Sequence, residues 1–445
     1  MTNAAQCGFR PYETPEHNTA ALQRALDRAG TIRIDKPGIY DLSGPVRIGS
    51  NTSLEFGEGV FLRRRNASGY TLINKGAFSR TYDENIRIRG LHLLVNGCDL
   101  CRQEIIGMNA LIGFHFVRNL EIRDFVCPDL LRRAFCIQVC TFENILLENL
   151  RIEGGKDAVH LGRGKRFVIR HGIFRTFDDP IALNAHDYVT SNPQFGWIED
   201  GIVEDCYDLD QRETTGFFCR LLGGAWTTWQ PEMPIRRSDL VVSDGRLYSA
   251  NLPVDGLERI SRTAPRHPDG VSVLDGIPWK FVQEADGFQC GVRNVHFRDI
   301  VLEKRRPRAF SMTFDNDNWS RSVYPGAPMP VQSGILLENI RVRNRIDALV
   351  EIRTPCDVLK ILHSDLENSS ILLNSWEYLA DRYPKTALLF SGTTFRGPGF
   401  RIVDAEKGRS ADLTVLGSAV EDPTAEFQVR GAVRILSSDL KIRSV

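Results

Sequence analysis

The chain has 445 residues, a length that favours either several domains or a repeat that grows by stacking. Lysine plus arginine total 56, and aspartate plus glutamate also total 56, so no net charge attracts nucleic acid or an anionic membrane. No run of 18 apolar residues occurs, and we expect no membrane-spanning helix. A locally recognised ligand is therefore expected.

The first twenty residues lack the basic and apolar regions of a secretory signal. The compartment stays open, because a cytoplasmic location and a secreted one with a removed signal both fit. Among the ten cysteines, Cys98 and Cys101 form a lone CxxC, and Cys136 and Cys140 have no second ligand pair at zinc-finger spacing. We expect neither a metal site nor a cofactor.

Only the start of the chain is convincingly helical. Apolar residues recur near helical spacing over 17–29, and Gly30 follows as a stop signal. A β segment, TIRIDKPGIYDL, comes next. Beyond it, short β-branched runs alternate with Gly, Asn and Asp, and hardly any amphipathic helix separates them, which disfavours a βαβ sheet.

One phrase of strand, tight turn and strand recurs along the chain. Its copies begin at Asn85, Asn119, Asn144, Arg166, Asn294 and Asn339. The first four starts are 34, 25 and 22 residues apart, and the last two are 45 apart, or about two coils. This period is typical of a solenoid, in which stacked parallel strands bury a shared interior. We predict one all-β domain over 1–445, a single-stranded right-handed parallel β-helix capped by the helix 17–29.

The segment 184–293 interrupts the repeated phrase with long polar and aromatic stretches, among them LLGGAWTTWQPEMP and SRTAPRHPDG. Long loops on a rigid scaffold are usually functional. We expect these insertions to wall a substrate groove, and closure of one end of the groove favours exo action.

The passage GGKDAVHLGRGKRFVIRHGIFRTFDDPIALNAHDY contains the main catalytic candidates. An offset of 22 residues aligns Val159 with Ile181, and the same offset places Asp157 beside Asp179 on the next coil, with Asp178 adjacent. Carboxyls this close cannot all ionise easily, so at least one pKa should be raised and that acid can stay protonated at neutral pH.

Such a cluster suits the hydrolysis of a glycosidic bond, because one carboxylic acid protonates the departing oxygen while a carboxylate activates water or attacks the sugar. Two alternatives stay open, a solvated turn and a Ca²⁺ site built from aspartate oxygens. For an inverting reaction, the acid and the base should lie roughly 6.5 to 9.5 Å apart.

On these residues the chain resembles the pectin-lyase-like β-helix superfamily and, within it, glycoside hydrolase family 28, the polygalacturonases and their relatives. The family's Asn-Thr-Asp motif, followed about one coil later by Gly-Asp-Asp, matches Lys156-Asp157 and Phe177-Asp178-Asp179. The resemblance implies that Asp178 is the general acid and that Asp157 and Asp179 activate the water in an inverting reaction.

The family's Gly-His-Gly motif is not found, nor is the Arg-x-Lys motif that holds a uronate carboxylate. The stretch GFFCRLLGG occupies a comparable place and offers Arg220. The stretch DDPIALNAHDY is also similar to β-helix α-1,3-galactosidases, which implies substrate-binding roles for Asn184 and His186. Together the resemblances imply an α-linked galactose- or galacturonate-type sugar.

Further candidates for substrate contact come from strand parity and side-chain chemistry. His160 should point outward from its strand and could reach the groove, while Asp315 and Asp317 lie at a strand end or in a turn. Tryptophans stack on sugar faces but also fill cores. Those considered are Trp226, Trp197, Trp229 and Trp319.

A glycoside hydrolase acting on a polysaccharide or oligosaccharide is the expected function, and two other classes share this fold. A polysaccharide lyase or epimerase abstracts a proton next to a uronate carboxylate and usually needs a Lys, Arg, His or Tyr base. A non-catalytic carbohydrate-binding β-helix is the third class. The aspartate triple, and the lack of a clustered Lys/Arg site in the sequence, favour the hydrolase. Sugar, linkage and oligomeric state are left open.

Overall fold

The protein is described by a computed structural model over residues 1–66, 69–98, 103–313, 316–344 and 346–445, with 377 and 378 described by their backbone alone. It is a right-handed parallel β-helix, which confirms the predicted fold class. No helix among these residues is long and apolar enough to cross a membrane.

A helix, α1 (Pro15–Leu26), caps the first coil after a short strand Thr2–Asn3 and a 3-10 turn Ala4–Cys7. The Thr14 side chain accepts a hydrogen bond from the His17 backbone N–H and so caps its first turn. The sequence predicts the helix over 17–29, but it ends three residues earlier because Ala29 adopts a left-handed φ of 54°. Leu22 and Leu26 are buried, as expected.

Leu26→Asp should lower the free energy of unfolding by at least about 2 kcal/mol, because a carboxylate would be placed in the cap interface without a partner. Arg28→Asp, in the exposed turn after α1, serves as the matched control and should change stability by less than about 0.5 kcal/mol. Urea unfolding followed by circular dichroism measures both. If the free energy of unfolding fell equally in the two variants, the result would contradict the assignment of α1 as a stabilising cap.

Three parallel sheets, named A, B and C in the order in which each coil passes through them from Gly30 onward, form the walls of the β-helix. Sheet A contains Gly30–Ile34, Thr52–Phe56, Asp83–Arg89, Val358–Leu362, Thr386–Ser391, Ser410–Leu416 and Ala432–Ser438. Sheet B contains Gly38–Leu42, Val60–Arg64, His92–Leu94, Asp365–Glu367, Thr394–Arg396 and Ala419–Val420. Sheet C contains Val46–Ile48, Leu72–Asn74, Val159–Leu161, Ile181–Asn184, Cys219–Leu222, Arg306–Met312, Ile346–Ile352, Ser370–Leu373, Arg401–Ala405, Phe427–Arg430 and Ile442–Ser444.

Several longer strands bend around the corners and join more than one sheet. Those that continue from sheet A into sheet B are Gly164–Thr176, Ile198–Asp208, Val292–Leu302 and Ser333–Val342. Those that pass through C, A and B are Ala110–Leu130 and Phe135–Gly154. Val159 pairs with Ile181, and Leu161 pairs with Leu183, which confirms the predicted 22-residue register.

The backbone conformation explains why asparagine recurs at the start of the repeated phrase. Asn85, Asn119 and Asn144 all adopt a left-handed φ, between 53° and 58°, a conformation that asparagine tolerates better than most residues. Their side chains form a ladder along the coils, in which Asn119 donates to Asn85 at 3.0 Å and Asn144 donates to Asn119 at 3.1 Å. The repeated asparagine in the sequence therefore marks a corner at which successive coils stack.

The segment 184–293 differs from the expected run of long loops. Its first part completes one coil with Ile198–Asp208 and Cys219–Leu222, and its second part folds into a small inserted sheet with a core of its own around Trp279 and Tyr248. This inserted sheet is mostly antiparallel, unlike the parallel strands of the β-helix. Its strands are Thr227–Thr228, Leu240–Ser243, Arg246–Ala250, Val271–Leu274 and Ile277–Glu284.

Two short ribbons flank the inserted sheet, and few other helices occur in the described residues. The ribbons pair Gly224–Ala225 with Gln289–Cys290 and Met233–Ile235 with Arg259–Ser261. The remaining helical elements are α2 (Gly76–Ser79) and a 3-10 turn, Glu377–Arg382.

Candidate active site

The three candidate aspartates lie on two adjacent coils, where the chain turns from sheet B into sheet C. Asp157 precedes the strand Val159–Leu161, and Asp178 and Asp179 precede its neighbour Ile181–Asn184. The Ala158 N–H donates to the Asp179 carbonyl at 3.1 Å and joins the two turns. One carboxylate oxygen from each aspartate lies within 4.8 Å of the others, so the stacking brings the carboxyls together as the offset predicts.

Hydrogen bonds from the next coil hold the turn that carries Asp178 and Asp179. The Phe217 N–H donates to Asp179 Oδ1 at 2.7 Å, and the Thr214 hydroxyl donates to the Phe177 carbonyl at 2.9 Å. Within the turn, the Thr176 hydroxyl donates to the Asp178 carbonyl at 2.8 Å. The carboxyls are thus fixed before any ligand binds, which lowers the cost of ordering them.

Lys156 places a positive charge among the three carboxyls. Its Nζ forms an ion pair with Asp178 and lies 3.6 Å from Asp157 Oδ1. Although burial opposes the charge, the carboxylates of Asp157 and Asp178 raise the pKa of Lys156, so the ammonium persists at neutral pH. The sequence comparison matched Lys156 to a motif position without giving it a role.

The three carboxyls differ in their affinity for a proton. Burial, together with the nearby Asp178 charge and despite Lys156, raises the pKa of Asp157 to about 7. Burial and the charges of Asp178 and Asp157 raise the pKa of Asp179 well above its ordinary value. Burial opposes ionisation of Asp178 as well, but the contact with Lys156 holds its pKa below the ordinary value.

In the free protein, Asp178 is therefore the carboxyl that ionises first, Asp157 is partly protonated at neutral pH, and Asp179 favours its protonated form. This distribution is the reverse of the roles that the sequence resemblance implies, in which Asp178 is the proton donor. The separation also differs from the expected 6.5 to 9.5 Å, because stacking on adjacent coils brings the oxygens within 4.8 Å. The geometric argument for inversion is thereby removed, and inversion rests on the resemblance.

His160 lies behind Asp157, fully buried and stacked on the Phe135 ring at 4.0 Å between centroids. Its Nδ1 is 3.1 Å from Asp157 Oδ2, and its Nε2 is 3.5 Å from Asp187 Oδ2. Burial lowers the pKa of His160 to about 4, so the ring is neutral. The neutral ring carries one proton, so with that proton on Nδ1 it donates to Asp157 Oδ2 and presents Nε2 as an acceptor toward Asp187.

His160 lines the pocket in front of the carboxyls, and carboxyls face both of its ring nitrogens. Asp187, which the sequence analysis missed, is equally buried and accepts hydrogen bonds from Asn184 Nδ2 and the Tyr188 N–H, each at 2.7 Å. The sequence could have indicated Asp187, because it directly follows the candidates Asn184 and His186 in DDPIALNAHDY.

A pocket of about 340 Å³ opens in front of the carboxyls, a volume within the range of small-molecule sites. Of the predicted substrate contacts it includes His160, Asn184 and Arg220. The Arg220 charge lowers the pKa of all three aspartates, though less than burial raises it at Asp157 and Asp179. Lys156 and Arg220 thus form the basic pair whose absence the sequence had suggested. The remaining lining residues are Gln103, Asn109, Phe135, Tyr188, Thr190, Ser191 and Trp319.

Three predicted contacts lie elsewhere or outside the described residues. His186 is buried against Phe195, with ring centroids 5.1 Å apart, because the insertion covers this part of sheet C. Trp226 is 1 % exposed and donates to the Gly287 carbonyl at 2.9 Å, so it fills the core beneath the insertion. Asp315 lies outside the described residues.

Asp317 is the fourth predicted contact that the structure does not bring to the pocket. It is exposed and accepts hydrogen bonds from the N–H groups of Trp319, at 2.8 Å, and Ser320, at 3.0 Å. Its role is therefore to cap a turn that presents Trp319 to the pocket. Of the other tryptophans considered, Trp229 donates to the Ser261 hydroxyl at 2.8 Å and packs in the core of the inserted sheet.

No family model and no curated protein matches the sequence. The structure is similar to a family 28 exopolygalacturonase of Yersinia enterocolitica, with 16 % identity over 100 % of this chain and 79 % of that one, at a TM-score of 0.53. An exopolygalacturonase of Thermotoga maritima aligns at 12 % identity, covering 100 % and 90 %, with a TM-score of 0.46. The A-module of a mannuronan C-5 epimerase of Azotobacter vinelandii aligns at 11 %, covering 100 % and 99 %, with a TM-score of 0.44. The first likeness shows the shared β-helix fold.

Proposed function

We propose that the chain is a glycoside hydrolase that cleaves a saccharide bound in the pocket of Asp157, Asp178 and Asp179. The observation that supports this proposal is the split in proton affinity between adjacent carboxyls, one ionised and one with a pKa of about 7. Glycosidic cleavage needs these two forms at once, a proton donor for the departing oxygen and a carboxylate for water or the anomeric carbon.

In this mechanism Asp157 donates its proton to the glycosidic oxygen as the bond between that oxygen and the anomeric carbon breaks. Asp178 accepts a proton from the attacking water, whose oxygen forms the new bond to the anomeric carbon. His160 donates from Nδ1 to Asp157 Oδ2, so that Oδ1, and not the oxygen that faces the ring, carries the Asp157 proton, and Asp179 stays protonated. A proton passed from Asp178 to Asp157 restores the resting state.

The substrate class proposed is an α-linked galactose- or galacturonate-type sugar, as the sequence resemblances imply. Lys156 and Arg220 suit oxygen-rich or acidic groups of such a sugar, and Trp319 and Tyr188 offer aromatic faces, with ring centroids 5.6 Å apart. Incubation with aryl α- and β-galactosides and with galacturonate oligomers, followed by analysis of the released sugars, tests the proposal.

The alternative of a lyase or epimerase needs an unprotonated base next to a uronate carbon. Lys156 stays protonated, and both His160 nitrogens face carboxyls. The candidate bases in the pocket are therefore Asp178, Tyr188 and Arg220. A lyase would release an unsaturated product that absorbs ultraviolet light, and an epimerase would change the sugar without cleaving it. Either result in the same incubation would replace the hydrolase proposal, and binding without turnover would indicate a carbohydrate-binding protein.

The stereochemistry of the first product is a separate prediction. We expect inversion, as the resemblance implies, with Asp178 acting on water and not on the sugar. Proton NMR during the first minutes of hydrolysis shows the anomeric configuration before mutarotation equilibrates it. A retained configuration would instead assign Asp178 as a nucleophile, in keeping with the short carboxyl separation, since retaining enzymes have theirs roughly 5 to 5.5 Å apart.

A further inference from the structure

A second cavity lies next to the candidate active site, on the other side of the segment 103–109. Its volume is about 460 Å³, and α2, the segment 104–106 and the inserted strand Ile277–Glu284 line it. The segment 103–109 contributes Gln103 and Asn109 to the active-site pocket and residues 104–106 to this cavity. The two cavities therefore share a wall.

Lys280 brings a buried positive charge to this cavity. The residue is 7 % exposed, and its Nζ donates to the carbonyl oxygens of Ile106 at 2.7 Å, Pro193 at 3.2 Å and Asn192 at 3.5 Å. These acceptors carry no formal charge, so the hydrogen bonds satisfy the ammonium protons without neutralising the ammonium.

Arg80 brings a second positive charge to the cavity. Its guanidinium donates to the Val282 carbonyl and lies 4.9 Å from the centroid of the Phe281 ring. Because the guanidinium donates this one hydrogen bond, most of its five N–H donors are left for a ligand. Arg80 is thus the group of this cavity best suited to contact an anion, and Lys280 stands behind it.

Neither cation has a carboxylate partner in the parts of the chain that the structure describes, since no carboxylate oxygen lies within 4.0 Å of a side-chain nitrogen of Arg80 or Lys280. Burial and the Arg80 charge lower the pKa of Lys280 to about 7. The acidic residues of the cavity, Glu104 and Asp269, are exposed at its rim. Asp269 and Glu284 attract the Arg80 charge without forming an ion pair with it, so a bound anion would supply that direct contact and would favour the charged form of Lys280.

We infer that this cavity binds an oxyanion, a carboxylate or a sulfate group, that contacts Arg80 and is attracted by Lys280. The apolar side chains of Phe78, Ile105 and Phe281 face the same space and suit the carbon skeleton that carries such a group. The oxyanion has two possible sources, an acidic group on a saccharide or a free small anion, and its chemistry at Arg80 is the same for both. The saccharide source rests on the proposed function, whereas the anion site itself does not.

Isothermal titration of the full chain with sodium sulfate and with a galacturonate trimer, at constant ionic strength set by sodium chloride, tests the inference. At least one probe should bind saturably, and Arg80→Gln should weaken that binding at least about tenfold. Arg87→Gln, which removes an exposed arginine on sheet A, should leave it unchanged. Lys280→Gln, once circular dichroism has shown that the variant is folded, should also weaken the binding of that probe.

The two sources give different results. Sulfate that displaces the trimer, with both weakened by Arg80→Gln, assigns the site to an acidic group on the saccharide. Sulfate that binds without affecting the trimer assigns the site to a free anion. Failure of both probes to bind, or unchanged binding in Arg80→Gln, overturns the inference. Because these are binding measurements, they stand whether or not the chain hydrolyses a saccharide.

Discussion

Asp157→Asn is expected to lower kcat on saccharides with poor leaving groups by about 10³-fold or more, with the fold intact. The amide has nearly the shape of the carboxyl but cannot give a proton to the glycosidic oxygen. Aryl glycosides whose phenol leaves as a stable anion need less protonation, so their kcat should fall by about tenfold or less. Steady-state kinetics on a matched pair of such substrates measures the difference.

Asp178→Asn is the paired variant. Because the carboxylate acts on water whatever group departs, its loss should depress turnover of both kinds of substrate by a similar factor, at least about 10²-fold. Asp205→Asn, an exposed aspartate of a distant corner, is the control and should retain activity. The opposite pattern, leaving-group dependence in Asp178→Asn alone, would support the roles that the sequence resemblance implies and contradict those proposed from the charges.

The fold could be predicted because the sequence features that form one coil recur in the next coils. The offset of 22 residues between Val159 and Ile181 is the length of one coil, and the asparagine ladder marks the same corner in each of several coils. The convergence of the aspartates follows from the same offset. The inserted sheet could not be predicted in this way, because its strands pair with one another and lie outside the repeat.

The proton distribution and the partners of the site could not be predicted from the sequence either. Whether Lys156 neutralises Asp178 or points to solvent depends on side-chain direction, and strand parity gives no account of a residue in a turn. The resemblance gave His186 a substrate-binding role, but the sequence could not show that the insertion buries this side chain against Phe195. Asp187 meets His160 because it follows the neighbouring strand on the next coil, a contact that no spacing within one coil reveals.

Lys156→Met is expected to move both limbs of the pH profile of kcat/KM to higher pH by about one unit or more. In the wild type, the Lys156 charge lowers the pKa of Asp178 and of Asp157, although burial keeps the latter near 7. Without that charge both carboxyls hold their protons to higher pH, since burial and their mutual repulsion remain. Asp178 must lose its proton to act, so kcat/KM on the acidic limb should fall by about tenfold for each pH unit that the limb moves, while activity above pH 7 should be less affected.

The remaining charged group at this cluster, Arg220, is unchanged in the variant and limits the shift. Lys156→Arg keeps the positive charge and serves as the matched control, with limbs close to those of the wild type. The measurement is kcat/KM from about pH 3 to pH 9, because this ratio reports groups of the free enzyme and the range must include the acidic limb. A lysine that only holds the turn in place would lower activity equally at every pH, so unshifted limbs would contradict an electrostatic role for Lys156.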